Sequence, residues 1–380
     1  MSKYPKLFSP LKIAGIELKN RITMTPLYLG MANADGTASD ILVDHYREMG
    51  SSGAAMVSVE NAAVDPIGMG SPTTLRTDSD EFIPGLQRVA KAIKSGGAIA
   101  FQQLNHVGRY AFPKEKWGAS PMRFGDVNIR EMPPDEIRRT VNSFASAALR
   151  VKKAGFDGVE IHSGTGYLLV QFLSSRTNRR ANEFGGSLEN RMRFPLMVFE
   201  AVRESVGPDF PVGYRFLADE WLPDGLHLDE TRIYARELEK RGVAYLSVMA
   251  GTYDSFYLPD YLVAEKKEGY MVRFADGIKK ALKNTPVITA GRIQSPATAE
   301  EILSTGKADF IGLARVLLAD PLWPKKAAGE VTEPINPCEP TCSFCSKRLM
   351  AMKPSYCIRW PKPRRETFLS RIGEKAEEAG

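Results

Sequence analysis

Cysteine is missing from nearly the whole chain. No cysteine precedes Cys338, and the four present, Cys338, Cys342, Cys345 and Cys357, fall within one twentieth of the 380 residues. A disulfide framework for the body of the protein is thereby excluded, and the cluster needs a local purpose. No apolar run approaches the ~18 residues of a membrane span. The first residues lack the charged-then-apolar grammar of a signal peptide. A cytoplasmic location without a membrane span is the expectation. No G-x-G-x-x-G follows a strand pattern, which counts against an open dinucleotide-binding sheet. Acidic residues are absent between Cys345 and Glu366, where Lys347, Arg348, Lys353, Arg359, Lys362, Arg364 and Arg365 lie. That stretch reads as a solvated basic tail, a docking face for an acidic partner protein, or part of the grip on a phosphorylated substrate. The total charge of +6 is too dilute over 380 residues to imply nucleic acid.

What is present is a globular composition, 43% hydrophobic and 25% charged. The length suits one large barrel with insertions, since such folds run to ~250 residues and more. Residues 7–13 and 16–18 alternate like a hairpin, which ahead of a barrel plugs its floor. Strand patterns follow at 21–25, 54–60, 98–104, 158–162, 212–216, 245–248, 287–290 and 310–313. Helical patterns alternate with them at 39–52, 80–95, 134–154, 187–205, 229–241, 271–283 and 295–304. Ser295-Pro296 with Glu300 is one clear helix start. Eight strand-then-helix alternations point to an α/β fold closed as a (β/α)8 TIM barrel with right-handed crossovers, rather than to an open doubly wound sheet. Residues 1–330 are assigned to the barrel and 331–380 to a four-cysteine segment with a charged tail, which holds a short fraying helix. The longest connection, 106–132, is rich in proline, glycine and aromatics, as an active-site lid would be.

Residues 159–178 organise the rest. An apolar run ending in Glu160-Ile161-His162 reads as a buried strand, 163–166 as a tight turn and 167–174 as an amphipathic helix. Polar side chains therefore gather where a strand ends, the place parallel α/β folds use for chemistry. Gln103, His162, Arg215, Gly291-Arg292 and Ala314-Arg315 all stand at or after strand ends and are expected at the barrel mouth. Loops after the last two strands of such barrels often hold a phosphate on backbone N–H groups. Taken singly, each arginine there reads equally well as a surface ion pair; on adjacent final loops the two favour an anion site.

The spacing Cys338-x3-Cys342-x2-Cys345-x11-Cys357 suits either a structural zinc or a [4Fe–4S] cluster, and spacing alone does not separate them. Both leave a negative site that neighbouring lysines and arginines would offset.

A set of motifs carries a resemblance. Asn20-Arg21-Ile22, Gln103-Leu104 with His106-Val107-Gly108-Arg109, Gly166-Tyr167-Leu168, Phe172-Leu173-Ser174 with Arg176-Thr177-Asn178, Phe184-Gly185-Gly186-Ser187 with Glu189-Asn190-Arg191, and Gly312-Leu313-Ala314-Arg315 resemble, in order and spacing, the old yellow enzyme family of flavoproteins. Within it the chain looks similar to the barrel portion of 2,4-dienoyl-CoA reductases, 2-enoate reductases and trimethylamine dehydrogenase, whose barrels are followed by a four-cysteine iron–sulfur segment. The resemblance implies FMN. Its phosphate would lie on Gly291, Arg292, Ala314 and Arg315, its pyrimidine edge on Gln103 and Arg215, and its ring against Thr25, Pro26, Leu27 and Tyr28 and near Asn61. A fixed guanidinium such as Arg215 suits a reduced flavin, which carries negative charge. The reaction implied is reduction, or in reverse formation, of a C=C bond conjugated to a carbonyl, the substrate expected being an enoyl- or dienoyl-CoA thioester.

Tyr167 matches the family's proton donor, and a phenol with pKa ~10 stays protonated at neutral pH yet can serve an enolate. Outside this motif it would read as a packing tyrosine. His162 matches the first member of the pair that holds the substrate carbonyl; the second, usually His or Asn, is Thr165 here, a departure that weakens the grip on small enones. In the dienoyl-CoA branch, which also lacks the usual pair, a histidine after strand six helps; Tyr253 stands near that place and is a second candidate acid or carbonyl donor. Arg176 matches a substrate-contacting arginine, with a structural ion pair as its plain alternative. Tyr28 stands where some members carry a flavin-tuning cysteine. The resemblance also favours the [4Fe–4S] cluster, although relatives space the first cysteines differently.

Such relatives continue into a half that binds FAD and NAD(P)H. The expected partner here is a separate electron-transfer protein or FAD/NAD(P)H-binding subunit, docking near 347–365, and a homo-oligomer is compatible with the reading. The alternatives are an amine dehydrogenase of the trimethylamine dehydrogenase type, with Tyr28, Tyr110, Tyr253 and Tyr257 as a cage, and a zinc-stapled barrel without flavin.

Overall fold

In the computed structural model, which describes residues 3–124 and 126–374, eight parallel strands close on themselves. They are β1 (Ile22–Met24), β2 (Met56–Ala63), β3 (Ile99–Asn105), β4 (Gly158–Ser163), β5 (Val212–Asp219), β6 (Leu246–Ala250), β7 (Val287–Thr289) and β8 (Phe310–Leu313). Each pairs with the next, and β8 pairs with β1, whose other edge meets β2. The fold is a (β/α)8 barrel. Its helices are α1 (Asp40–Gly50), α2 (Ile83–Ser95), α3 (Pro134–Lys153), α4 (Leu188–Val206), α5 (Leu228–Lys240), α6 (Val272–Lys279), α7 (Pro296–Ser304) and α8 (Arg315–Ala319). Side-chain caps start several of them: Ser39 Oγ accepts from the Leu42 N–H at 3.1 Å and Ser295 Oγ from that of Ala297 at 3.2 Å, with Pro296 in the first turn.

The main core lies between strands and helices, where Val57, Val59, Val159, Ile161 and Val248 are fully buried. The floor is separate. Leu11–Ile13 pairs antiparallel with Ile16–Leu18 through Ala14 and Gly15, both at positive φ as a two-residue hairpin turn requires. Ile13 and Leu18 pack there on Met56, Phe101, Tyr245, Ile288 and Phe310. Burying each such side chain contributes about 1.5–3 kcal/mol.

Expectations for the helix after β4, the basic stretch and the tail are corrected. The helix after β4, Leu168–Leu173, is buried at all six residues rather than amphipathic. Phe172 meets Phe194 of α4 at 4.4 Å between ring centroids, so the helix is wedged between strand and outer layer instead of facing solvent. The connection 106–132, read as a lid, is partly built of short strands. It carries Trp117–Gly118, Met122–Phe124 and Val127–Glu131 as a three-stranded flap. The basic stretch is answered from afar: Arg348 pairs with Glu374 at 3.0 Å, Arg364 with Glu48 at 2.6 Å and Arg359 with Glu339 at 3.2 Å. The tail helix, Lys362–Arg371, is no loose end either, because Phe368 and Leu369 are buried and Trp360 donates to the Leu318 carbonyl at 2.6 Å. Among the described residues no helix is long and apolar enough to cross a membrane.

Candidate active site

The C-terminal ends of β7 and β8 build a cradle. Gly291 sits at φ +106° and Arg292 at φ +57°, a left-handed conformation that costs a non-glycine residue of order 1–3 kcal/mol. A Cβ on Gly312 would lie 2.5 Å from Thr25 Cγ2, so only glycine lets β8 approach β1. Thr25, Pro26, Arg215, Gly291, Arg292, Ala314 and Arg315 line one cavity of about 140 Å³. The Arg292 side chain is 3% exposed; its Nε donates to the Glu265 carbonyl at 2.8 Å, and the Glu265 carboxylate lies 3.6 Å from Arg292 and 4.0 Å from Arg315. One carboxylate answers two guanidiniums. The excess positive charge, the glycine-lined backbone and the start of α8 suit an anionic ligand of phosphate size.

Beneath the mouth the strand registers set a polar layer. Glu160 lies opposite Gln103, His162 opposite Arg215, and Arg215 opposite Ser247. Gln103 donates to Glu160 at 2.7 Å, Tyr245 donates to its other oxygen at 2.9 Å, and Arg215 donates to Ser247 Oγ at 2.8 Å. Burial pushes the Glu160 carboxyl up, with Arg215 opposing that shift. Glu160 was not singled out from the sequence. The available signal was its position two residues before His162, which puts both on one face of a strand. One N–H of the Gln103 amide goes to Glu160; its second N–H and its carbonyl oxygen are not used by that bond. Asn61 is half-buried within β2, beside Glu60, whose carboxyl burial raises to about 8. Leu27 packs at the edge of the main core, and the Tyr28 hydroxyl bonds Ser71 and, at 2.8 Å, Thr73.

The turn after β4 aims the phenols. Thr165 at φ +61° and Gly166 at φ +87° reverse the chain, and Tyr167 takes the N-cap position of Leu168–Leu173. The Tyr167 hydroxyl lies 2.9 Å from that of Tyr253, and its ring stands edge-on to His162 at 5.1 Å. Burial raises the Tyr167 pKa well above its ordinary value. Burial first, and Arg215 second, lower His162 to about 3, so its imidazole is neutral; its Nδ1 has no partner among the described residues. The Thr165 hydroxyl donates to the Met249 sulfur at 3.8 Å. His162, Thr165, Tyr167 and Tyr253 are therefore brought together.

Arg176 lies in the same mouth but is held by acids, Asp254 at 3.1 Å and Asp224 at 3.2 Å. Asp254 also accepts from Arg109 at 2.7 Å and from the Tyr110 hydroxyl at 3.0 Å. This clamp joins the loops after β3, β4 and β6, and nothing local in the sequence announces it.

The four cysteines line one small cavity of about 20 Å³, which Arg315 shares. Cys338 also lines the anion cradle, and Arg292 donates to the carbonyl of the adjacent Glu339 at 3.4 Å. Burial pushes the Cys338 and Cys357 thiols up. Four thiols around one cavity are the ligand type that a soft metal centre takes.

Comparison with known proteins accords with this geometry. Residues 6–333 match the NADH:flavin oxidoreductase / NADH oxidase family. The chain is 41% identical over 336 residues to an NADH oxidase of Thermoanaerobacter brockii, covering 86% of this chain and 51% of that protein. The structure resembles a 2-naphthoyl-CoA reductase in complex with 2-naphthoyl-CoA, with TM-score 0.90, 28% identity and coverage of 94% of this chain and 57% of that one. It also resembles a histamine dehydrogenase from Rhizobium sp. 4-9, with TM-score 0.84, 30% identity and coverage of 96% and 53%. The chain thus spans about half the length of these relatives. Its whole barrel, from the cradle to the phenols, belongs to the NADH:flavin oxidoreductase / NADH oxidase family.

Proposed function

We propose that the chain is an FMN-dependent oxidoreductase that reduces, or in reverse forms, a C=C bond conjugated to a carbonyl, with an enoyl- or dienoyl-CoA thioester as substrate. The observation that carries this is the hydrogen-bonded pair Tyr167 and Tyr253 beside neutral His162 at the barrel mouth. FMN, when bound in its reduced form, would supply a hydride for the β-carbon of the activated double bond. Gly291, Arg292, Ala314 and Arg315 would hold its phosphate, Arg215 would compensate negative charge on its ring, and Thr25 to Tyr28 would back it. The neutral His162 and the Thr165 hydroxyl orient the substrate carbonyl. Tyr167 gives its phenolic proton to the α-carbon, and Tyr253 returns one from the exposed side. The likeness to a naphthoyl-CoA reductase supports the thioester.

On this reading residues 1–330 form the flavin barrel and 331–380 the electron-transfer segment. Cys338, Cys342, Cys345 and Cys357 would ligate a [4Fe–4S] cluster, which supplies one-electron chemistry beside the cradle. An electron-transfer partner or an FAD/NAD(P)H-binding unit would exchange electrons there. The closing of the basic stretch by Glu48, Glu339 and Glu374 argues for shape rather than bare charge in that docking.

A second reading, oxidation of an amine, has one observation of its own. The rings of Tyr110, Tyr167 and Tyr253 pack edge-on or tilted within 5.0–6.2 Å of one another, with the Asp254 carboxylate beside Tyr110, an aromatic and acidic wall that a cation could meet. Anaerobic incubation of the reduced protein with enoyl thioesters, and of the oxidised protein with amines, separates the two by which one changes the flavin band. Flavin that returns to the oxidised form with no thioester sinks the first reading.

A further inference from the structure

The flap over the mouth encloses a second cavity of about 410 Å³, outside the anion cradle. Its charged lining is unbalanced. Arg109, Lys116 and Arg176 face it, against Asp254 on the wall and Asp224 reached by Arg176 alone, the latter side chain 72% exposed. The Arg109 side chain is 7% exposed, and its Nε has no partner among the described residues. A buried guanidinium N–H left without an acceptor is costly unless a ligand supplies one. Among the described residues Lys116 donates only to the Ala111 carbonyl, leaving ammonium donors spare.

The rest of the wall is apolar. Met122 and Val127, on the flap, are 38% and 37% exposed, and Ile129 lies beside them. The Tyr110 ring borders this cavity and stands 5.0 Å from Tyr253, so the space begins one ring away from the catalytic phenols.

Resting on the reading above, we propose that this cavity is a subsite for the distal part of the substrate, an apolar segment bearing one anionic group, carboxylate or phosphate, received by Arg109 and Lys116. Asp254 holds Arg109, Tyr110 and Arg176 in position and need not leave, because the Arg109 Nε and the Lys116 donors are the groups still unanswered. The flap then contributes contact area to the same ligand through Met122, Val127 and Ile129.

Two pairs of alkenes test this by calorimetry on the FMN-loaded full chain: an ω-carboxyalkyl enone against its methyl ester, and an enoyl pantetheine 4′-phosphate against the unphosphorylated thioester. The anionic member of at least one pair should bind about tenfold tighter, as one charge-assisted hydrogen bond supplies. The pair that shows it names the source of the charge. Lys116→Gln, on the flap and away from the phenols, should reduce that preference to about threefold or less while the neutral member binds as before. Asp254→Asn should enlarge it. Equal affinity within both pairs, with the alkenes still reduced, overturns the subsite and leaves the ene-reduction intact. A preference that Lys116→Gln leaves unchanged also overturns it. Failure to reduce any of the four alkenes overturns both.

Discussion

The phenol oxygens of Tyr167 and Tyr253 stand 2.9 Å apart, the first ring half-buried and the second 40% exposed. A proton given up by Tyr167 has one ring to cross on its way back from water. Tyr167→Phe should therefore slow reoxidation of the reduced flavin by an enone about 10²–10⁴-fold, the range of a lost general acid, while flavin binding persists. Tyr253→Phe should slow it less. Stopped-flow absorbance of that half-reaction is the check, and equal rates in the Tyr167 variant would remove it from the chemistry.

Arg315 borders both the anion cradle and the cysteine cavity. Arg315→Gln removes one charge-assisted contact, worth about 1.5–3 kcal/mol, so FMN should bind at least tenfold more weakly. Flavin retained after dialysis measures it. Gly312→Ala should fail the same assay by another route, because its methyl group would press on Thr25.

The cysteine segment predicts a colour. Protein purified without oxygen should carry on the order of four irons and four sulfides per chain. Cys357→Ser should lose iron while keeping FMN, since Cys357 lines the cysteine cavity and not the cradle. Zinc in place of iron by metal analysis would overturn the cluster.

Acid should weaken the fold through its histidines. Burial lowers His45 and His162 to about 3 and His106 to about 4, from an ordinary 6.5. Below pH 6.5 the unfolded chain binds protons that the folded chain refuses, so stability falls as pH drops from 6.5 towards 4. Each histidine contributes a slope of up to ~1.4 kcal/mol per pH unit. Glu60, raised to about 8, opposes this because the folded state keeps its proton. His45→Gln isolates one contribution: the difference in denaturant midpoint between variant and parent should grow in the variant's favour from pH 6.5 to 4.5. A difference independent of pH would exclude it.

The barrel was legible along the chain because its information is local. The switch between two-residue and 3.6-residue periodicity marks every strand and helix, and the predicted strand 310–313 coincides with β8. The paired arginines of the last two loops, and the turn that presents Tyr167, follow from position in that alternation. Where reading stopped, the partners were distant. Glu48 meets Arg364 across |i−j| of 316, and Asp254 meets Arg109 across 145.

Residue order alone therefore determined the eightfold alternation, the cradle and the clustering of the thiols, since neighbouring residues set hydrophobic period, turn and cap. Tertiary packing decided the rest. It made Leu168–Leu173 wholly buried, paired short strands between Trp117 and Glu131 into a sheet, gave Glu160 to Gln103 and Tyr245, and turned a one-signed tail into ion pairs. Burial and charge compensation depend on which surfaces meet, and that is known only once the barrel has closed.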